Sequence, residues 1–268
     1  MRNKVVIITG ASSGIGKALA FVFGQNGSKI VITGRDSAKL ESTQIELNLA
    51  GIDTLAIVAD VSIENDNKTV VDKTIAHFGK IDILINNAGI TMRALFNDAD
   101  TDVIKKVMDI NFYGMVYATK YALPEIIKSQ GSIIGISSIA GYRGLPGRTG
   151  YSASKFAMQG FLESLRTELL KKNVHVLVAC PGFTTSNIRN SALSADGSTQ
   201  GESPRDEAKM MTAEEVAAHI YKATVYRKRD LVLTTQGKLT VLMNKFFPSF
   251  MDKMVYNVLA KEKDSPFK

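Results

Sequence analysis

The chain of 268 residues contains no tryptophan, one cysteine, three histidines and six prolines. A single cysteine, Cys180, excludes an intramolecular disulfide and suits a reducing compartment, so a cytoplasmic protein is expected. His77, His175 and His219 are scattered without the spacing of a zinc site, and no metal is expected. The opening "MRNKVVIITG" runs straight into a strand-like apolar stretch too short for a signal peptide or a membrane span. No Pro- or Ser-rich linker and no internal repeat divides the chain. Charge of one sign is not concentrated either. The excess of +7 is dispersed apart from "YRKRD" at Tyr226 to Asp230, which argues against nucleic acid as a partner.

What is present is an alternation. "KVVIITG", "KIVITGR", "DTLAIVADV", "IDILINNAG", "GSIIGISS" and "VHVLVACPG" are continuous apolar runs, with "DLVLTT" a further candidate strand. Helical patterns lie between them near 15–26, 38–50, 64–78, 101–127 and 151–172. Strands apolar throughout have both faces covered, and βαβα alternation predicts an α/β fold with a doubly wound parallel sheet. Residues 183–212 are polar and least core-like. A connection of that length is expected to serve as a lid.

The first strand leads into "TGASSGIG", in which Gly10, Gly14 and Gly16 open a helix. Glycines there allow a tight turn and close approach of a diphosphate to the helix N-terminus; Ser12, Ser13 and Ile15 belong to the same turn. The spacing differs from the commoner Gly-x-Gly-x-x-Gly but shares its mechanics. At the end of the second strand an acidic residue would bond the ribose 2′-hydroxyl of NAD. Here Gly34 removes that carboxylate and Arg35 offers a fork for a 2′-phosphate, so NADP(H) is favoured over NAD(H). Asp36 is either a helix N-cap or a displaced acid.

With "TGASSGIG", "NNAG", "ISS" and "YSASK" in that order, the sequence resembles the short-chain dehydrogenase/reductase family over about residues 4 to 235. The resemblance implies a Rossmann-type sheet of about seven strands and hydride transfer between a nicotinamide and a carbonyl or secondary alcohol. It implies Tyr151 as catalytic acid/base, Lys155 as its partner, and Ser138, thirteen residues before Tyr151, as the catalytic serine. Asn111 matches an asparagine that supports a water-mediated proton relay. Asn87, Ala88 and Gly89 match the loop beside the adenosine ribose, Asp60 and Val61 the contacts around adenine. Pro181, Gly182 and Thr184 match the segment facing the carboxamide, and Ser186 a pyrophosphate-binding hydroxyl. A homodimer or homotetramer built on the helices near 101–127 and 151–172 is implied as well.

The chemistry is intelligible from the residues. A tyrosine with a proton affinity near pH 10 is a poor acid/base at neutral pH, and an adjacent ammonium would lower it. Lys155, one turn along, is expected to do so and also to hold the nicotinamide ribose. Ser138 can bond the substrate oxygen as its charge changes. Taken singly, Tyr151 and Lys155 are an ordinary pair on a helix, Ser138 a turn residue, Asn111 a cap or kink. Ser152 and Ser154 are read as helix-start polarity, and Cys180 as a buried core residue. A serine hydrolase is disfavoured because no Gly-x-Ser-x-Gly elbow surrounds Ser138.

The substrate walls are expected from Tyr142, Arg143, Leu145, Pro146 and Arg148, and from Ile90, Met92, Leu95 and Phe96. They suggest a lipophilic carbonyl or alcohol, while the arginines would suit an acidic group. Residues 1–236 are expected to form one catalytic domain and 237–268 an amphipathic helical extension. Leu242, Phe246, Phe250, Met254 and Val258 make its stripe, widened by Met243, Phe247 and Met251 and divided at Pro248. With Lys238, Lys245, Lys253, Lys261 and Lys263 it would pack on its own domain or a second subunit, rim the entrance, or make peripheral contact with a membrane through 238–263. The resulting expectation is an NADP(H)-dependent carbonyl/alcohol oxidoreductase; the alternative is a non-catalytic NADP-binding sensor or scaffold.

Overall fold

The computed structural model describes residues 1–185, 188–201, 210–262, 265 and 267. Seven strands form one sheet: β1 (Val5–Ile8), β2 (Lys29–Gly34), β3 (Thr54–Val58), β4 (Ile83–Asn86), β5 (Ser132–Ile136), β6 (His175–Cys180) and β7 (Asp230–Val232). They pair in parallel in the order β3-β2-β1-β4-β5-β6-β7. Strands β1, β4, β5 and β6 are buried at every position, which is why their sequences do not alternate.

Helices α1 (Gly14–Gln25), α2 (Ser37–Leu49), α3 (Glu64–Phe78), α4 (Thr101–Met108), α5 (Gly114–Lys128) and α6 (Thr149–Glu168) follow the expected rhythm. One face of the sheet packs Leu19, Phe23, Val216 and Ile220. The other packs Val71, Met115, Ile126 and Leu162. The order reverses between β1, which continues to β2 on one side, and β4 on the other. That switch point is where the carboxyl ends of doubly wound strands leave a crevice.

Three differences from the sequence reading concern helices. The segment 101–127 is not one uninterrupted α-helix: Asp109–Tyr113 forms a π turn between α4 and α5. A helix α7 (Ala213–Val225) follows the polar segment and packs on α1, although the sequence reading placed none there. Its signal is "TAEE": Thr212 accepts from Glu215 N and Glu215 accepts from Thr212 N, a capping box.

The third is the extension. Helices α8 (Thr235–Phe246) and α9 (Pro248–Ala260) are separated by Phe247, with Pro248 opening α9 as a first-turn proline can. The seam that packs is Met251, Val255 and Leu259, against Leu145 and Met243. Of the stripe read from spacing, Met251 and Met243 belong to this seam, while Leu242, Phe246, Phe247, Phe250, Met254 and Val258 are exposed.

Candidate active site

Along the carboxyl edge of the sheet runs a cleft of about 1310 Å³, larger than the roughly 300–1,000 Å³ of ordinary small-molecule pockets. Gly10, Ser12, Ser13, Gly14, Ile15, Gly16, Arg35, Asp60, Val61, Asn87, Ala88, Gly89, Ser138, Tyr151, Lys155, Pro181, Gly182 and Thr184 all line it. Ser186 lies outside the described residues. Asn111 is buried behind the wall rather than on it.

At the nucleotide end, Gly10 has φ +64, and a Cβ there would meet Ala88 Cα at 2.8 Å, so the first turn requires glycine. Asn87 Nδ2 donates to Thr9 O at 2.9 Å and Gly10 O at 3.0 Å, and Thr9 Oγ1 accepts from Asn87 N and Ala88 N. The "NNAG" loop thus braces the glycine turn. Ser13 caps α1 in position, yet its side chain accepts no helix N–H, and the first turn carries no carboxylate. That leaves a helix N-terminus suited to an anion. Thr33 Oγ1 is buried on the same wall without a partner among the described residues. A dinucleotide's phosphates and ribose fit such a cradle.

The acid in question at the end of β2 is resolved. Asp36 Oδ1 accepts from Lys39 N at 3.1 Å and caps α2, and that bond holds its carboxyl below the usual range. Gly34 leaves room beside Ser12, whose Oγ would be 3.4 Å from a Cβ. Arg35 Nη1 lies 3.6 Å from Asp60 Oδ2. Asp60 also accepts from Ser62 N and Oγ; burial works against its charge, but these bonds and Arg35 bring its carboxyl below the usual range.

At the other end, Ser138 follows β5 and Tyr151 and Lys155 lie on successive turns of α6. The Ser138 hydroxyl accepts from Ala140 N at 3.1 Å and lines the cleft together with the Tyr151 phenol, whose proton affinity it lowers. Lys155 Nζ sits 5.7 Å from the Tyr151 ring centre and donates to Ile136 O at 2.9 Å. Asn111, in the π turn, exchanges bonds with Ile90 N and O and donates to Ser154 Oγ at 2.9 Å. Ser154 Oγ in turn donates to Tyr151 O at 2.7 Å. Ser152 Oγ accepts from Leu145 N at 3.0 Å. The two serines are therefore braces and not mere helix-start polarity. Only burial reveals that.

Burial raises the proton affinity of Tyr151, and the opposing influences come from the Ser138 side chain and the Arg148 charge. Burial also lowers Lys155 itself to about 8, so it keeps its ammonium at neutral pH but gives up the proton more readily than an ordinary lysine. Burial likewise pushes the Cys180 thiol up to about 12, which fits a core residue and not a nucleophile.

The substrate walls differ in part from expectation. Ile90, Leu145 and Arg148 line the cleft, but Tyr142, Arg143, Pro146, Met92, Leu95 and Phe96 do not. Met92 is fully buried against Val103, Val107 and Leu193, and Phe96 is exposed. Of the polar segment, Phe183, Ile188, Arg189, Ser191, Met210 and Met211 reach the cleft. The extension contributes Thr240, Met254, Val255, Val258 and Glu262, contacts that helical spacing alone could not aim. No group of three or more metal-binding side chains occurs among the described residues.

A doubly wound sheet with a dinucleotide-sized cleft ending in a Ser–Tyr–Lys cluster defines the class of nicotinamide-dependent oxidoreductases. Residues 4–197 match the model of the short chain dehydrogenase family. The chain is 36% identical over 273 residues to dehydrogenase/reductase SDR family member 7B of Mus musculus, covering 99% of this chain and 84% of that protein. It is 34% identical to the SDR family protein 7-like of Dictyostelium discoideum, covering 95% of this chain and 81% of that one. A short chain dehydrogenase/reductase of Burkholderia phymatum, solved in complex with NAD, superposes with a TM-score of 0.84 at 23% identity, covering 93% of this chain and 95% of that chain. The chain belongs to the short-chain dehydrogenase/reductase family, whose cofactor is NAD or NADP.

Proposed function

We propose that the protein is an NADP(H)-dependent oxidoreductase that interconverts a carbonyl and a secondary alcohol on a lipophilic small molecule. The observation that carries this reading is the convergence of Ser138, Tyr151 and Lys155 on one wall of the cleft, with Lys155 Nζ 5.7 Å from the Tyr151 ring centre. The bound nicotinamide supplies or accepts the hydride. Tyr151 gives a proton to the carbonyl oxygen in reduction and takes it back in oxidation, and Ser138 bonds that oxygen as charge develops. Lys155 holds the cofactor ribose, and Asn111 supports a water-mediated proton relay from behind the wall. Gly10 to Gly16 receive the pyrophosphate with Ser186; Asn87, Ala88 and Gly89 border the ribose, Asp60 and Val61 the adenine, Pro181, Gly182 and Thr184 the carboxamide.

NADP(H) is favoured because Gly34 presents no carboxylate, Asp36 is committed to α2, and Arg35 stands exposed at that position. A lipophilic substrate is favoured because Ile90, Leu145, Ile188, Met211, Met254 and Val258 line the far end. Arg143 and Arg148 pair instead with Asp252 and Glu262 of the extension. Residues 1–236 act as the catalytic domain with 183–212 as lid, and the chain works as a homodimer or homotetramer in the cytoplasm, its extension in peripheral contact with membrane.

The test is NADPH and NADH consumption over a panel of ketosteroids, long-chain ketones, quinones and sugars. Turnover of an apolar ketone with NADPH preferred supports the reading. Tight NADPH binding without turnover anywhere in the panel returns the protein to a sensor, and preference for NADH removes the 2′-phosphate role.

A further inference from the structure

Between the extension and the loop that joins Ser138 to Tyr151 lies a charge cluster that the reaction above does not use. Glu262 Oε2 is 3.6 Å from Arg93 Nη2 and 3.6 Å from Arg148 Nη2, and the three side chains are 5–11% exposed. Arg148 and Glu262 both line the cleft, and Arg148 precedes Tyr151 by less than one helical turn. The same loop is held to the extension again further on. Arg143 bonds Asn244 and Asp252, Asn244 donates to Tyr142 O, and Leu145 packs on Met251, Val255 and Leu259. Its other side is fixed to α6 by the Ser152–Leu145 bond.

We propose that Glu262 is a positioning residue: by bridging Arg93 and Arg148 it holds the Arg148 guanidinium beside Tyr151 and makes the C-terminal segment part of the catalytic apparatus. The physical reason is desolvation. Two guanidiniums largely out of water call for counter-charge, Glu262 supplies it to both at 3.6 Å, and replacing the carboxylate removes that attraction from each. Arg148 is the one near the chemistry: it stands at the N-cap of α6, three residues before Tyr151, on the same cleft wall, and its charge opposes the rise that burial imposes on Tyr151. A proton donor whose conjugate base is stabilised by a fixed cation gives up its proton more readily. The proposal rests on Tyr151 being the proton donor of the reading above.

The experiment uses the full chain with NADPH and 9,10-phenanthrenequinone as carbonyl probe, comparing wild type, Glu262→Gln and Glu262→Asp. For Glu262→Gln we expect kcat about tenfold lower, the effect of one unit in proton affinity, with the KM for NADPH within roughly twofold of wild type. Glu262→Asp should recover most of kcat. Amide hydrogen exchange is expected to quicken in 142–148 and in α9 of Glu262→Gln, a readout independent of turnover. An unchanged kcat overturns the proposal, as does a parallel loss of NADPH affinity, which marks a merely structural role. If wild type does not reduce the probe, the reading of the reaction fails, and exchange decides the clamp: unchanged rates in both segments overturn it.

Discussion

Lys155 is buried and Tyr151 half-buried on the cleft wall, and each carries the cost of that in its proton affinity. For Lys155 the folded value of about 8 lies below the ordinary 10.5. Between those values the unfolded chain holds a proton that the folded one has released, so stability rises with pH across that window. Wild type should therefore gain melting temperature relative to Lys155→Met as pH climbs from 7.5 to 10; a constant difference would mean that the ammonium is not desolvated. The residue types of the site were legible in sequence because they are chemically committed: a phenol, an ammonium and a serine at family spacing. Their electrostatics were not. Whether Lys155 or Arg148 acts more on Tyr151 depends on which cation the fold places nearby, and Arg148 is paired there with Glu262, more than a hundred positions away in sequence.

Elements were legible where hydrophobic periodicity was uninterrupted. Strands β1 to β6 were recognisable because helices cover both faces and leave apolar runs. Helix α7 was missed because the polar segment before it masked a short helix whose clearest mark is its cap. Replacing that cap should be felt: Thr212→Ala is expected to cost about 1 kcal/mol, seen as a lower midpoint in denaturant at unchanged slope. No loss would mean that α7 owes its start to packing on α1 alone. In the extension, spacing located helices but not their orientation. The residues at Phe250, Met254 and Val258 and those at Met251, Val255 and Leu259 are neighbouring apolar rows on α9, and only the position of Leu145 decides which row is buried.

At the scale of the whole molecule, that choice leaves an apolar face outward. Leu239, Leu242 and Phe246 on α8 and Phe250 on α9 are exposed with Lys238, Lys245 and Lys253 beside them, and Met254 and Val258 join this surface to the mouth of the cleft. An apolar arc bordered by lysines suits the surface of an anionic bilayer, and no helix among the described residues is long and apolar enough to cross one. The protein should therefore float with phosphatidylserine vesicles, and Phe246→Ser with Phe250→Ser should abolish flotation. Flotation unaffected by both changes would remove lipid contact from the account.

The central claim concerns proton transfer by Tyr151, and one comparison reaches it. Tyr151→Phe keeps the ring and its packing and deletes only the hydroxyl. NADPH consumption with the best ketone of the panel should fall at least about a hundredfold, the lower range of general acid catalysis, while NADPH affinity measured by calorimetry stays near that of wild type. Turnover retained in Tyr151→Phe would contradict the account.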